Sequence, residues 1–329
     1  MLPIIVNIGP VSFTAFLVFS AAVLLVWFLV LKIFKPSTTA RKDLVFYALF
    51  LIAGVLVLTI VGKVLPLRTY GVMVALGFVF GTLFALHEAK RTGIGQNLVM
   101  DLSIVALIGG IIGARLFYIV FYSWDYYMAN PLKMFAVWEG GLVIYGGIIV
   151  AGLSLFFFLR KKSVNLKALF DIISLSLLIG MGFGRLGCLG FGCCYGKVIA
   201  AGSVLKGLGF LGLAYPKGSP AWADQLSQNL IGADATCSLP VWPTQIISSA
   251  GLFLMFLFLL LVHRKFKKFD GEIVSLFFVL YGVGRFLIEL LRINPLYGPF
   301  SSAQWISLGM IVLGIFFLVR FGSSSKLKS

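Results

Sequence analysis

Residues Gly180–Lys197 read G-M-G-F-G-R-L-G-C-L-G-F-G-C-C-Y-G-K. An apolar run that begins near residue 168 ends here in a tongue of glycine and cysteine, with one arginine, Arg185, at the change. Glycine at this density lets helices pack closely and lets backbone approach a ligand in positive-φ conformations. An arginine in that setting offers a planar fork of donors matched to phosphate or carboxylate. The stretch predicts a membrane helix that ends at an anionic lipid headgroup site.

The rest of the chain supports a membrane setting. Of its 329 residues, 60% are hydrophobic and 12% charged. A soluble domain of this length needs a more polar surface. Its apolar runs are continuous and about 20 residues long, as spanning helices require, with none of the alternation of a β-barrel. The fold class expected is an all-α polytopic integral membrane protein. Nine spans are predicted, at about 11–31, 44–65, 70–88, 98–121, 141–159, 168–187, 244–262, 272–291 and 303–320. The net charge of +16 would suggest nucleic acid in a soluble chain. Here it falls in clusters at span ends, so the expected partner is the lipid bilayer and not nucleic acid.

Those clusters set the orientation. Lys32, Lys35, Arg41 and Lys42 follow the first span, Lys90 and Arg91 the third, and Arg160, Lys161, Lys162 and Lys167 the fifth. His263, Arg264, Lys265, Lys267 and Lys268 follow the seventh, and Arg320, Lys326 and Lys328 the ninth. Every second junction is basic and therefore cytoplasmic, which places the N-terminus outside and the C-terminus inside. The first span is expected to be uncleaved: residues 1–10 carry no Lys or Arg, and the run is long for a signal sequence. No internal repeat is visible, which counts against a transporter of duplicated halves. The outer segment 188–243 is too long for a simple connection and predicts a cap or small subdomain.

Ionisable groups within spans are costly and mark function or a buried partner. Arg68 and Tyr70 open the third span, Arg115 and Tyr118 close the fourth, and Glu139 and Tyr145 open the fifth. Arg185 closes the sixth and Gln245 opens the seventh. Tyr281, Arg285, Glu289 and Arg292 occupy one ~80° arc of the eighth. All lie at one depth, near the outer leaflet, and predict a shared polar cavity there. The alternative is that the arginines snorkel to headgroups or pair with Glu289 for structure.

With these residues in hand, the chain resembles the bacterial prolipoprotein diacylglyceryl transferases. The resemblance rests on Y-G-V-M at Tyr70–Met73, G-A-R-L-F-Y at Gly113–Tyr118, G-G-L-V-I-Y-G-G ending at Gly147, and Asp171. It continues with G-R-L-G at Gly184–Gly187, Tyr195-Gly196, P-T-Q at Pro243–Gln245 and Y-G-V-G-R-F-L-I-E-L-L-R at Tyr281–Arg292. The motifs occur in family order over about 70–321, so that 1–69 holds two additional helices and 322–329 a basic cytoplasmic tail. The resemblance implies transfer of the diacylglyceryl group of phosphatidylglycerol to the thiol of a lipobox cysteine in a preprolipoprotein signal peptide. It implies no cofactor and no metal, and a bacterial inner membrane with the active face outward.

Within that reaction, Arg185 and Arg285 are expected to hold the lipid phosphate, with Arg292 assisting or pairing with Glu289. Tyr70 and Tyr281 donate to phosphate or ester oxygens, and Arg115 belongs to the same lipid-binding set. Gly146, Gly147 and Gly196 allow close approach, or serve helix packing instead. The chain departs from the family pattern in three places. Tyr145 stands for a histidine, Cys188 and Cys193 for an asparagine and an acidic residue, and Phe191 for a second asparagine. Cys188 is thus the altered headgroup contact. His87 and His263 sit at cytoplasmic ends, which leaves Tyr145 or Glu289 as the proton acceptor; a phenol has a reference pKa of ~10. Cys193, Cys194 and Cys237 permit a disulfide over the site. Apolar packing and a catalytic thiol remain alternatives, and C-x4-C-C lacks the usual metal-ligand spacing. A same-scaffold transferase with another acceptor, and a lipid or anion transporter, are the competing readings.

Overall fold

The computed structural model describes residues 4–8, 65–136, 140–199 and 212–326. The predicted spans before residue 65, and Glu139, lie outside the described residues. Strands β1 (Ile4–Ile8) and β2 (Leu65–Arg68) pair antiparallel. The helices that follow are α1 (Thr69–Thr92), α2 (Gln96–Tyr122), the short α3 (Trp124–Ala129), α4 (Ile144–Leu159) and α5 (Leu166–Phe191). Then come a short α6 (Pro220–Ser227), α7 (Thr244–Leu261), α8 (Glu272–Glu289) and α9 (Ser302–Lys326). A hairpin of β3 (Leu296–Tyr297) and β4 (Phe300–Ser301) joins α8 to α9.

All seven predicted spans from residue 70 onward are helical. Among the described residues five helices, α1, α2, α5, α7 and α9, are long and apolar enough to cross a membrane. Helix α4 is apolar but has only 16 residues, and α8 carries Glu272, Arg285 and Glu289. The chain is a helical, multi-pass membrane protein. Helix α5 runs on to Phe191, four residues past the predicted end, with Gly182 and Gly187 within it set against Phe253 and Tyr70.

The described residues pack as two units, one of those up to 85 and from 166 onward, the other of those between 86 and 165. In the first, Leu175, Leu178, Leu252, Leu259, Ile273 and Phe277 from α5, α7 and α8 form the core. Gly77 and Gly81 bring α1 against α5: a Cβ on Gly77 would stand 2.9 Å from the Gly180 carbonyl, and one on Gly81 3.0 Å from that of Ser176. Small residues four apart permit such backbone approach in a membrane. Asp171, fully buried on α5, fixes the start of α8: its Oδ2 accepts from the Gly271 amide and its Oδ1 from the Val274 amide, each at 2.9 Å. Lys267 Nζ lies 2.9 Å from the same carboxylate. Gly271 has φ +94°, open to glycine at little cost. This anchor sets the rotation and height of α8, and with them the positions of Tyr281, Arg285 and Glu289.

In the second unit α2 packs along α4. A Cβ on Gly113 would collide with the Gly146 carbonyl and Val150, and one on Gly146 with Phe117 and the Gly113 carbonyl.

Candidate functional site

In the first unit, α7 and α8 line a groove of about 610 Å³, a size typical of small-molecule sites. Ile247, Gly251, Leu254 and Phe258 face it from α7, and Leu280, Gly284, Leu287 and Leu291 from α8. Both sets step by four, three and four residues, so each is one stripe of its helix. From residue 247 to 258 the stripe rises ~16 Å, about half a ~30 Å bilayer core. Polar groups are few: Arg185, Ser248, Tyr281 and Arg285. The groove is thus an apolar slot carrying two guanidinium groups.

The two arginines differ. Arg285 Nη1 lies 2.8 Å from Glu289 Oε2, one turn on, a charge contact whose angle is off the hydrogen-bond axis. Glu289 Oε1 accepts from Asn294 Nδ2 at 2.5 Å and from Ser301 Oγ at 2.9 Å. The buried carboxylate therefore ties Arg285 to the β3–β4 hairpin, with Oε2 facing the Arg285 guanidinium and accepting no hydrogen bond. Arg185 is half-buried and makes no ion pair or hydrogen bond with another described residue. Its donors remain available to a ligand. Tyr281 stacks on Phe277, with centroids 5.6 Å apart, and faces the groove. Arg292, just past α8, is half-buried.

Beyond Arg185 the chain turns sharply. Gly192, at φ +79°, ends α5 in a Schellman cap: the Cys193 amide donates to the Cys188 carbonyl at 3.2 Å and the Gly192 amide to that of Leu189 at 3.3 Å. This cap juxtaposes the fourth-last helical residue with the second residue beyond the end. Here those are Cys188 and Cys193. Cys194 then adopts φ +59°, unusual for a residue with a Cβ, and the three Sγ atoms gather within 4.8 Å of one another. The turn is pinned from α7. Thr244 Oγ1 donates to the Cys194 carbonyl and Gln245 Nε2 to that of Cys193, both at 2.7 Å. Gly196 admits no side chain, since a Cβ would stand 2.6 Å from that of Trp242. Tyr70, 40% exposed, packs beside the cluster against Gly187. Hydrogen bonds from Cys188 and Cys193 push the Cys194 thiol down, with Arg292 and Arg185 helping, whereas its hydrogen bonds to Cys188 and Cys194 push Cys193 up.

All four cysteines are free thiols; Cys237 is exposed, and its backbone bridges to Pro216 within the outer subdomain. That subdomain packs α6 on Tyr215 and Val241. Tyr195 OH donates to Asp224 Oδ2 at 2.6 Å, which fastens the cysteine turn to α6.

In the second unit, Arg115 is 4% exposed and is used for structure. Nε donates to the Met134 carbonyl at 2.9 Å, Nη1 to those of Gly140 and Gly141 at 2.5 and 3.3 Å, and Nη2 to that of Lys133 at 2.7 Å. The guanidinium also lies over the Tyr127 ring. Gly140 and Gly141, at φ +91° and +70°, present those carbonyls. Arg115 thus shapes the loop that leads to Tyr145, which is 68% exposed at the start of α4. Gly146 and Gly147 face α2 and serve helix packing. Sequence reading did not single out Asn294 or Ser301, and held Thr244 only as part of the P-T-Q motif. The N-P turn immediately after an acidic ladder was the available sign for Asn294.

Comparison with known proteins adds a second line of information. A family model described as prolipoprotein diacylglyceryl transferase matches residues 56–320. The phosphatidylglycerol–prolipoprotein diacylglyceryl transferase of Finegoldia magna is 32% identical over 253 residues, 77% of this chain and 90% of that protein. The proteins of the same name from Clostridium tetani and Geobacter sulfurreducens are 33% and 34% identical, covering 77% and 76% of this chain and 92% and 89% of their own.

Proposed function

The chain belongs to the prolipoprotein diacylglyceryl transferase family, and we propose that it transfers the diacylglyceryl group of phosphatidylglycerol to the thiol of a prolipoprotein's lipobox cysteine. The observation that carries this reading is the α7–α8 groove: an apolar slot one leaflet deep, with Arg185, unpaired among the described residues, and the paired Arg285 on its wall. Acyl chains fit the stripe, and the phosphodiester fits Arg185 and Arg285. Tyr281 donates to the phosphate or an ester oxygen, with Tyr70 and Arg292 beside the cysteine turn.

The acceptor thiol gives up its proton to water, and the reaction breaks the bond from glycerol carbon to phosphate oxygen as sulfur attacks that carbon. The electron pair leaves with glycerol phosphate, whose growing charge is met by the two guanidiniums. Glu289 acts as a positioning residue for Arg285, and Arg115 holds the loop before Tyr145. The basic junctions favour nine spans, an external N-terminus and an active face outside the cytoplasmic membrane. In this reading residues 70–321 form the transferase core, 1–69 add two helices and 322–329 are a cytoplasmic tail.

A mass-spectrometric assay tests the proposal. Purified protein in detergent, given phosphatidylglycerol and a lipobox peptide, yields a diacylglyceryl adduct that is absent when the peptide Cys is Ser. No adduct beside an active control enzyme overturns it. Such an outcome favours the same-scaffold enzyme with another acceptor, which the changes at Tyr145, Cys188 and Cys193 also motivate.

A further inference from the structure

We propose that Cys188, Cys193 and Cys194 form a trithiolate site for the thiophilic cation Zn2+, with its fourth position open to the acceptor thiol. The second clause rests on the transferase reading; the first does not.

The geometry is specific. Three sulfurs lie within 4.8 Å of one another. A tetrahedral zinc with Zn–S of ~2.3 Å holds its sulfurs ~3.8 Å apart, so side-chain rotation of about 1 Å completes the set. Spacing in sequence hides this, because C-x4-C-C matches no common zinc motif. The helix cap supplies what the spacing lacks: it brings Cys188 beneath Cys193, and the left-handed Cys194 returns its sulfur to the pair. Thr244 and Gln245 hold the two carbonyls of the turn, so its backbone is fixed before any ion arrives. No histidine or carboxylate among the described residues joins the cluster. Three protein ligands with one free position is the pattern of catalytic zinc, whereas structural zinc uses four.

Charge and chemistry agree. Three thiolates on a dication leave one negative charge. Arg185 is also one helical turn from Cys188 and lines the groove, so a ligand on the ion would sit near the lipid phosphate. A thiol that coordinates zinc does so as thiolate. The acceptor S–H proton passes to water on binding. The zinc-bound sulfur then attacks the glycerol carbon: the C–S bond forms, the C–O bond breaks, and glycerol phosphate leaves with the pair. Such a site would supply what the family histidine, replaced here by Tyr145, does not.

The test uses the full-length, reduced protein in detergent. Zinc content is measured after removal of excess ion, and Co2+ loading is followed by optical absorption. One metal per chain is expected, with sulfur-to-cobalt charge-transfer bands. Both fall to background in Cys188→Ser and Cys193→Ser and are unchanged in Cys237→Ser. Adding lipobox peptide, with no phospholipid present, shifts the cobalt bands, and the Cys→Ser peptide does not. Wild-type protein with its thiols reduced that takes up neither ion overturns the site, and so does uptake that persists in folded Cys193→Ser. Metal uptake without a peptide-induced shift overturns the open-position clause. A chain that binds metal and peptide yet makes no adduct leaves the site standing and refutes the transferase reading.

Discussion

Removing Arg185 and removing Arg285 separates two roles that look identical in sequence. Arg185 has no ion pair or hydrogen bond with the described residues, whereas Arg285 contacts buried Glu289 at 2.8 Å. Arg185→Ala should therefore leave stability within ~0.5 kcal/mol, as for sites without buried partners. Its loss falls on the substrate. Two charge-assisted hydrogen bonds to a phosphate, at ~1.5–3 kcal/mol each, amount to ~3–6 kcal/mol, or a ~10²–10⁴-fold fall in kcat/KM. Arg285→Ala removes similar contacts and also strands the Glu289 carboxylate. Breaking a buried pair costs ~3–5 kcal/mol, and Asn294 and Ser301 still solvate Glu289, so the lower end applies. The assay pairs thermal unfolding in detergent with adduct formation against phosphatidylglycerol concentration. Arg185→Ala should melt with wild type and fail in turnover, and Arg285→Ala should fail in both. Turnover of Arg185→Ala within about threefold of wild type refutes the phosphate clamp. Equal melting of the two variants refutes the assigned role of the ion pair.

Four other changes probe the frame. Asp171→Ala removes two amide hydrogen bonds and the Lys267 ion pair from the start of α8, and should destabilise by ~3–5 kcal/mol, visible as a lowered melting temperature. Gly146→Leu should prevent α2–α4 packing and reduce folded yield on size exclusion, whereas Gly152→Ala, with open space around it, should be neutral. Burial pushes the Tyr215 phenol up to about 12 from an ordinary 10, so the fold favours its neutral form. Its contribution to stability is full below pH ~10 and is lost as pH rises through about 12. Tyr215→Phe should flatten that part of an alkaline unfolding series; identical alkaline slopes refute the assignment.

The helices from residue 70 onward were legible because a bilayer demands long apolar runs, and the polar ladder on α8 was legible because charge within such a run stands out. What the ladder does was not. Tyr281, Arg285 and Glu289 share one stripe, but the partners that occupy Glu289 come from beyond the helix, at Asn294 and Ser301. Arg115 looked like another ligand for anions; its actual partners are main-chain carbonyls, which leave no composition signal. Gly146 and Gly147 offered both close approach and packing, and only the position of α2 decides between them. The cysteines were the least legible, since their proximity depends on a cap geometry and on one left-handed residue.

That cap bears on the departures that the resemblance implies. The asparagine and the acidic residue that the resemblance implies would fall at positions 188 and 193, the two sites that the Schellman turn holds in contact. A change at one therefore alters the surroundings of the other. Asparagine with a carboxylate makes a hydrogen-bonded pair, and two thiols make a soft-metal pair; thiol with carboxylate makes neither well. Restoring the pattern at one position should then damage the site more than restoring both. Residues in direct contact show coupling of ~0.5–3 kcal/mol in double-mutant cycles. Cys188→Asn and Cys193→Glu should each lower adduct formation, with the double variant ~3–100-fold better than the product of the singles predicts. Additive losses would mean that the two positions act independently, and that their nearness in the turn carries no chemistry.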